Sequence, residues 1–214
     1  MPTLAFPTIK LSSPSKMPCR SYSLPAQECH TGSKLRKVEG STCSKCYALK
    51  GRYLFPNVKD ARYHNYDHVM MCEHDAEARQ DWINQIVEAV ANDLYMRWFD
   101  SGDLQGVWML EMIVAVAEAA PHCTFWLPTR EHGMVTDYLL DHGSFPSNLT
   151  VRLSAHMLNK PIVINEAMRE AGVLGSTAGE VEGKQCDSRE RGGKCGPCRA
   201  CWSRDVANVN YPLH

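Results

Sequence analysis

The chain has 214 residues and 24.0 kDa, 44% hydrophobic and 22% charged, with a formal net charge of -1. That length buries one core, or one domain with a small appendage, and the near-neutral charge gives no overall basic stripe, so nucleic acid is not indicated as a partner. No apolar run approaches the roughly 20 residues that span a bilayer, and "MPTLAFPTIKLSSPSK" lacks the basic-then-apolar order of a signal peptide, so no membrane partner and a cytoplasmic location are expected.

Residues 1–18 hold Pro2, Pro7, Pro14 and Pro18 and read as an irregular lead-in. Residues 19–60 carry cysteines with too little apolar periodicity for a long helix. From Asp75 to Asn92 the residues Ile83, Ile86, Val87 and Val90 share one face, which predicts a helix. "LYMRWFDSGD" reads as a strand entering a Ser-Gly-Asp turn, and "VWMLEMIVAVAEAA" as a buried helix stopped before Pro121. "CTFWLPTRE" is a strand ending at Pro128, "HGMVTDYLLDHG" a helix capped by Gly143, and "LTVRLSAHM" a further strand. "KPIVINEAMREAG" predicts a helix between Pro161 and Gly172, and "GVLGSTAG" a weak last strand.

Alternating strands and helices define an α/β chain with a partial (βα) barrel or open parallel sheet, a cysteine-rich N-terminal loop and a cysteine-rich C-terminal tail. Residues 1–182 form the expected core, including the loop at 19–60. Residues 183–214 form a tail packed on that core and organised by something other than apolar burial.

Ten cysteines in a cytoplasmic chain point to metal more than to disulfides. Cys186, Cys195, Cys198 and Cys201 have the compact C-x2-C-x2-C run that wraps an iron–sulfur cluster, with Gly192, Gly193, Gly196 and Pro197 allowing tight turns. Four thiolates also satisfy tetrahedral zinc, which stands as the alternative. Cys19, Cys29, Cys43 and Cys46 form the N-terminal set, and Cys43/Cys46 with Cys195/Cys198 would make the knuckles of a zinc ribbon. Cys72 and Cys123 are isolated and read as core thiols.

The expected strand ends are polar: Arg97 with Asp100-Ser101-Gly102-Asp103, then Thr129-Arg130-Glu131, then Arg152, Ser154 and His156. In "LTVRLSAHM" the apolar Leu149, Val151 and Leu153 alternate with Thr150, Arg152 and Ser154, so one strand face is polar. Such a face suits a polar or anionic ligand, or internal ion pairs that hold the sheet; His156 alone reads as structural.

"SKMPCRSYSLPAQECHTGSKLRKVEGSTCSKCYALKGRY", "RWFDSGDLQ", "FWLPTRE", "NLTVRLSAHM" and "GKCGPCRACW" with "NVNYPLH" resemble, over nearly the entire chain, the phage protein family called gene product 88. The resemblance implies a phage origin, and with it the cytoplasm of an infected host cell, and does not imply a reaction.

The order of parts also resembles a truncated radical S-adenosylmethionine (SAM) enzyme: a cysteine loop after a first strand, an aromatic after its last cysteine, a Gly-acid pair after the second strand and a Ser/Arg strand fourth. That resemblance implies a [4Fe-4S] cluster on Cys29, Cys43 and Cys46, SAM amino-group binding at Gly102-Asp103, and ribose or carboxylate binding at Arg152 or Ser154. Asp100, Ser101 and Arg130 complete the candidate cofactor-binding set, and the C-terminal cysteines match an auxiliary cluster. Here thirteen residues separate Cys29 from Cys43, where the superfamily has three, and Cys19 as a fourth ligand would close the site.

The expected function is therefore an iron–sulfur protein, radical-SAM-like, with one or two [4Fe-4S] clusters, SAM and a polar substrate near Arg97, Arg130 and Arg152. The alternatives are a non-catalytic or electron-transfer iron–sulfur protein that contacts a host protein, and a zinc-stabilised binding module.

Overall fold

The structure, a computed structural model, describes residues 6–213. Pro2 of the expected lead-in lies outside the described residues. The lead-in is not wholly irregular, because β1 (Leu11–Ser12) pairs antiparallel with β2 (Arg20–Tyr22). Four strands follow, each parallel to the one before it: β3 (Tyr95–Trp98), β4 (Thr124–Thr129), β5 (Leu149–Ser154) and β6 (Val173–Ala178). The tail adds β7 (Lys184–Gln185) and β8 (Asn208–Tyr211), giving an open eight-stranded sheet in the order β1-β2-β3-β4-β5-β6-β8-β7. Residues 183–213 thus share the sheet of the core.

Parallel neighbours need long crossovers. They contain α1 (His30–Leu35), α2 (Pro56–Met71) and α3 (Ala76–Ala89) before β3, α4 (Val107–Ala119) before β4, α5 (His132–His142) before β5 and α6 (Glu166–Glu170) before β6. From β2 to β6 the strand order never reverses, so crossovers of one hand put their helices on one sheet face. Trp82 and Ile86 of α3, Leu110 and Ile113 of α4 and Val135 of α5 share one buried cluster with Met96, Trp98, Phe125, Leu127 and Val151. Trp98 stacks between Trp82 and Phe125 at centroid distances of 5.7 and 6.1 Å. Cys72 and Cys123 are fully buried in that cluster, as core thiols should be. Among the described residues no helix is long and apolar enough to cross a membrane.

Local chemistry explains the boundaries. Asp75 caps α3 by accepting from the N–H groups of Glu77 and Ala78, and Gly143 ends α5 at φ +81°. β4 runs one residue past Pro128. Alternate N–H groups of β4 face β5, as Phe125 does toward Asn148, so Pro128 faces β3, whose pairing has already ended at Arg97. No donor is lost there.

The helix expected from Pro161 shrinks to Glu166–Glu170, because the Asn165 side chain caps it by accepting from the Met168 N–H. β6, read as weak, is a six-residue strand buried over its first five positions. α2 carries no apolar period, since its buried residues are Asn65, His68 and Val69. Asn65 instead bonds Lys10 through both its donor and its acceptor, and donates to the Ser23 carbonyl, tying the lead-in to the sheet.

Candidate functional site

In a sheet wound in one direction, chain segments after the strands meet at the carboxyl ends. The cysteine-bearing segment between β2 and α2 lies across those ends and is anchored to three strands. Beyond β3, the Tyr47 hydroxyl donates to the Asp100 carbonyl at 2.6 Å. Beyond β4, Glu131 accepts the Thr31 N–H at 2.8 Å and the Thr31 hydroxyl at 2.7 Å. Beyond β5, the Thr42 N–H donates to the His156 carbonyl at 2.9 Å.

These anchors bring Cys29, Cys43 and Cys46 together. Cys29 precedes α1, Cys43 is buried, and Cys46 opens the short 3-10 turn Tyr47–Leu49. Gly32 of α1 keeps a space beside them. A Cβ on Gly32 would stand 2.9 Å from the Cys29 Cβ, 3.6 Å from the Cys29 Sγ and 3.7 Å from the Cys43 Sγ, so both sulfurs border one cradle that a side chain would fill. Burial pushes the Cys29 thiol well up, and Asp103, Cys46 and Cys43 push it further, while Arg130 opposes them. Burial also raises the Cys43 thiol against the pull of Arg130. Both are neutral thiols until a bound cation replaces their protons.

Asp103 is 3% exposed, and burial pushes its carboxyl up to about 6. Its Oδ1 accepts from the Thr129 hydroxyl at 2.6 Å and the Leu104 N–H at 2.9 Å, and its Oδ2 accepts from the Arg130 N–H at 2.9 Å. The carboxylate therefore locks the turn after β3 to the end of β4, and Oδ2, with one donor, has a lone pair left. Gly102 is required in that turn, because φ is +83° and a Cβ would meet the Leu24 carbonyl oxygen at 2.7 Å. Ser101 donates to the Leu24 carbonyl. Asp100 accepts from Ser23 and lies 3.4 Å from the Arg62 guanidinium. Arg130 Nε donates to the Thr42 hydroxyl at 3.1 Å, which keeps its guanidinium over the cysteine segment.

Arg152 stands elsewhere. It is fully buried on the sheet face opposite the helices, and four of its donors go to the carbonyls of Gly175, Ala200, Cys201 and Ser203 at 2.8–3.0 Å. It holds the tail instead of presenting a free fork to a cofactor. Ser154 pairs with the Ser176 hydroxyl at 3.1 Å. His156 bonds the Arg130 carbonyl and stacks on His132, a structural role.

The tail lies on that same face. Trp202 packs edge-on against Trp126 and Tyr95, and its Nε1 donates to the Met96 carbonyl at 2.8 Å. The Cys195 N–H donates to the Lys16 carbonyl at 2.9 Å, stitching the tail to the chain just before Cys19. Burial pushes the Cys19 thiol up to about 12; Arg97 lowers it, and Cys195 is the foremost thiol raising it. Cys186 and Cys198 in turn raise Cys195, after burial. Cys201 is pushed up to about 11 by burial and lies 3.2 Å from the Tyr211 hydroxyl. Cys19 therefore stands with the tail cysteines, away from Cys29, Cys43 and Cys46.

The expected site residues thus fall into two places: Cys29, Cys43, Cys46, Asp103 and Arg130 at the strand ends, and Cys19, Cys186, Cys195, Cys198, Cys201 and Arg152 on the sheet face. Sequence reasoning missed Thr31, Gly32, Thr42 and Tyr211. A glycine three positions after a cysteine was the only signal for Gly32. Among the described residues, no group of three or more His, Cys, Asp or Glu is drawn together tightly enough to hold a single metal ion.

Fold and sites define an α/β protein wound in one direction, with one thiol group across its strand ends and a second under its tail. The chain belongs to the phage family Gene product 88, whose family model matches residues 3–204. No curated protein and no solved structure matches it with significance.

Proposed function

We propose that this chain is a radical-SAM-like iron–sulfur enzyme acting on a polar substrate, its sheet serving as a partial (βα) barrel. Cys29, Cys43 and Cys46 would hold a [4Fe-4S] cluster, and four of the five thiols Cys19, Cys186, Cys195, Cys198 and Cys201 a second one. The observation that carries the reading is the place of Cys19. The Cys195 N–H bond to the Lys16 carbonyl sets Cys19 beside the tail, which leaves the strand-end group at three cysteines. Three protein ligands suit a cluster with one iron open to SAM; four would close it.

The residues present fit such a group. The Gly32 cradle leaves volume beside two sulfurs, and Arg130 supplies positive charge that favours thiolates. A mononuclear zinc needs every sulfur about 2.3 Å from one centre, whereas a cluster spreads its ligands over several irons. When bound, an open cluster supplies the electron that splits SAM. The chain's own part is positional: Glu131 fixes the Cys29 turn, Asp103 offers Oδ2 to an ammonium group, and the anchored segment covers the strand ends.

The filling of the sheet face by Trp202 and Arg152 favours a second reading, an electron-transfer protein without substrate. One experiment separates the two. Protein purified without oxygen is assayed for iron and acid-labile sulfide, then reduced and titrated with SAM under electron paramagnetic resonance. The enzyme reading expects a SAM-dependent change that survives Cys19→Ser and disappears in Cys46→Ser. Zinc without sulfide overturns both readings, and clusters indifferent to SAM leave the electron-transfer one.

A further inference from the structure

The outer surface of the cysteine-bearing segment carries charge largely of one sign. Residues 30–54 carry six basic side chains and one acidic, Glu39, in a chain whose totals are 23 and 24. The net charge of -1 therefore averages a basic cap against an acidic remainder. Arg36 turns inward, donating to the carbonyls of Ala26, Gln27 and Gly32. Lys34, Lys37, Lys45, Lys50 and Arg52 are exposed, and among the described residues none of the five is in an ion pair.

Two aromatic side chains stand exposed among these cations. Phe55 is 56% exposed beside Arg52, while Tyr47, 48% exposed, keeps its hydroxyl on the Asp100 carbonyl and its ring edge-on to Tyr53, so that only its outer edge faces solvent. Leu54, 51% exposed, adjoins Phe55, so the cations border a small apolar surface and not an isolated ring. A shallow pocket of about 360 Å³, lined by Gln27, Ser33, Lys34, Arg36 and Lys37, adds room for an anionic group. Since the anchors to Asp100, Glu131 and His156 hold the inner side of the segment, its exposed side chains face away from the strand ends.

We propose that this cap binds single-stranded nucleic acid. Unpaired cations track a phosphate backbone, and exposed rings offer stacking to bases, a combination that single strands use and that an acidic protein surface does not require. The cap lies over the Cys29, Cys43 and Cys46 group, with its cations on the outer side. The inference goes beyond the cofactor reading and stands without it, because it rests on protein side chains alone.

The test is fluorescence anisotropy of a labelled single-stranded oligothymidylate with the full chain, at several salt concentrations. Binding should weaken linearly in log salt. The double variant Lys45→Glu, Arg52→Glu should weaken it at least about tenfold and flatten the salt slope by about 1.4, at about 0.7 per lost phosphate contact. Phe55→Ala should weaken binding roughly 5- to 160-fold with the slope unchanged. No binding overturns the proposal. So does polyglutamate binding as tightly as oligothymidylate with Phe55→Ala neutral, which marks an acidic-protein surface. All three positions are exposed, circular dichroism checks the fold, and iron content of the same sample reports separately on the cofactor reading.

Discussion

Glu131 grips Thr31 through both carboxylate oxygens, Oε1 on the N–H at 2.8 Å and Oε2 on the hydroxyl at 2.7 Å. The pair joins the end of β4 to the first turn of α1, two residues from Cys29. Glu131 is 5% exposed, so these bonds form in a poorly solvated place where a lost partner is costly.

Glu131→Ala should therefore lower stability by about 1–3 kcal/mol, the cost of stranding the Thr31 donors. Glu131→Gln should cost less, because the amide oxygen still accepts one of them. The urea midpoint measures the first effect. The rate at which a chelator strips metal measures the second consequence, faster loss from the Cys29 group, and an unchanged rate would show that the grip is not what places Cys29.

Arg152→Leu should release the tail. The substitution leaves the carbonyls of Ala200, Cys201 and Ser203 without their shared donor, at a cost of several kcal/mol that is not a simple sum of bonds. Limited proteolysis should cut within residues 186–205 before any other segment. Resistance equal to the unaltered protein would mean that Trp202, seated on Trp126 and Tyr95, suffices.

How far the sequence shows all this depends on which force builds each part. The helices around Ile86, Ile113 and Val135 and the strands around Phe125 and Val151 are legible because apolar spacing makes them. α2 is not, because Asn65 and His68 occupy its buried face. The two cysteine groups are visible as groups, yet Cys19 sits ten residues before Cys29 and lies with Cys195, a long-range arrangement that spacing cannot report. Arg152 was legible as a buried polar residue and not as a tail clamp, since its acceptors are backbone carbonyls, which carry no sequence signal.

His68 gives a pH dependence. It is fully buried on α2, neither ring nitrogen has a hydrogen-bond partner among the described residues, and the Asp81 carboxylate stands 4.0 Å away. Burial lowers its pKa below 6.5, with Asp81 opposing and His64 adding to the shift. A lowered folded value means that the unfolded chain takes up the proton first, so stability present above pH 6.5 is lost as pH falls toward the folded pKa. His68→Leu removes the proton site and should flatten that loss. Urea unfolding of both proteins from pH 7 to 5 checks it; parallel curves would exclude His68 as the cause.

Gly32→Ala sets two effects against each other. Gly32 lies inside α1 with a helical backbone, so alanine alone should favour the helix by about 0.8–1.0 kcal/mol. The added Cβ would also stand 2.9 Å from the Cys29 Cβ and 3.6–3.7 Å from two sulfurs, inside the cradle between them. A contact under 3 Å forces Cys29 to move, and a cluster bordered by Cys29 and Cys43 would lose the same volume. If the cradle holds a cluster, Gly32→Ala should lower the iron and sulfide bound at the strand ends while the tail group, far from Gly32, keeps its own. If α1 only packs the loop, the variant should bind metal as before, and any helix gain should appear as a raised urea midpoint. Iron and sulfide content, measured beside a Cys195→Ser control that disables the tail group, separates the two outcomes.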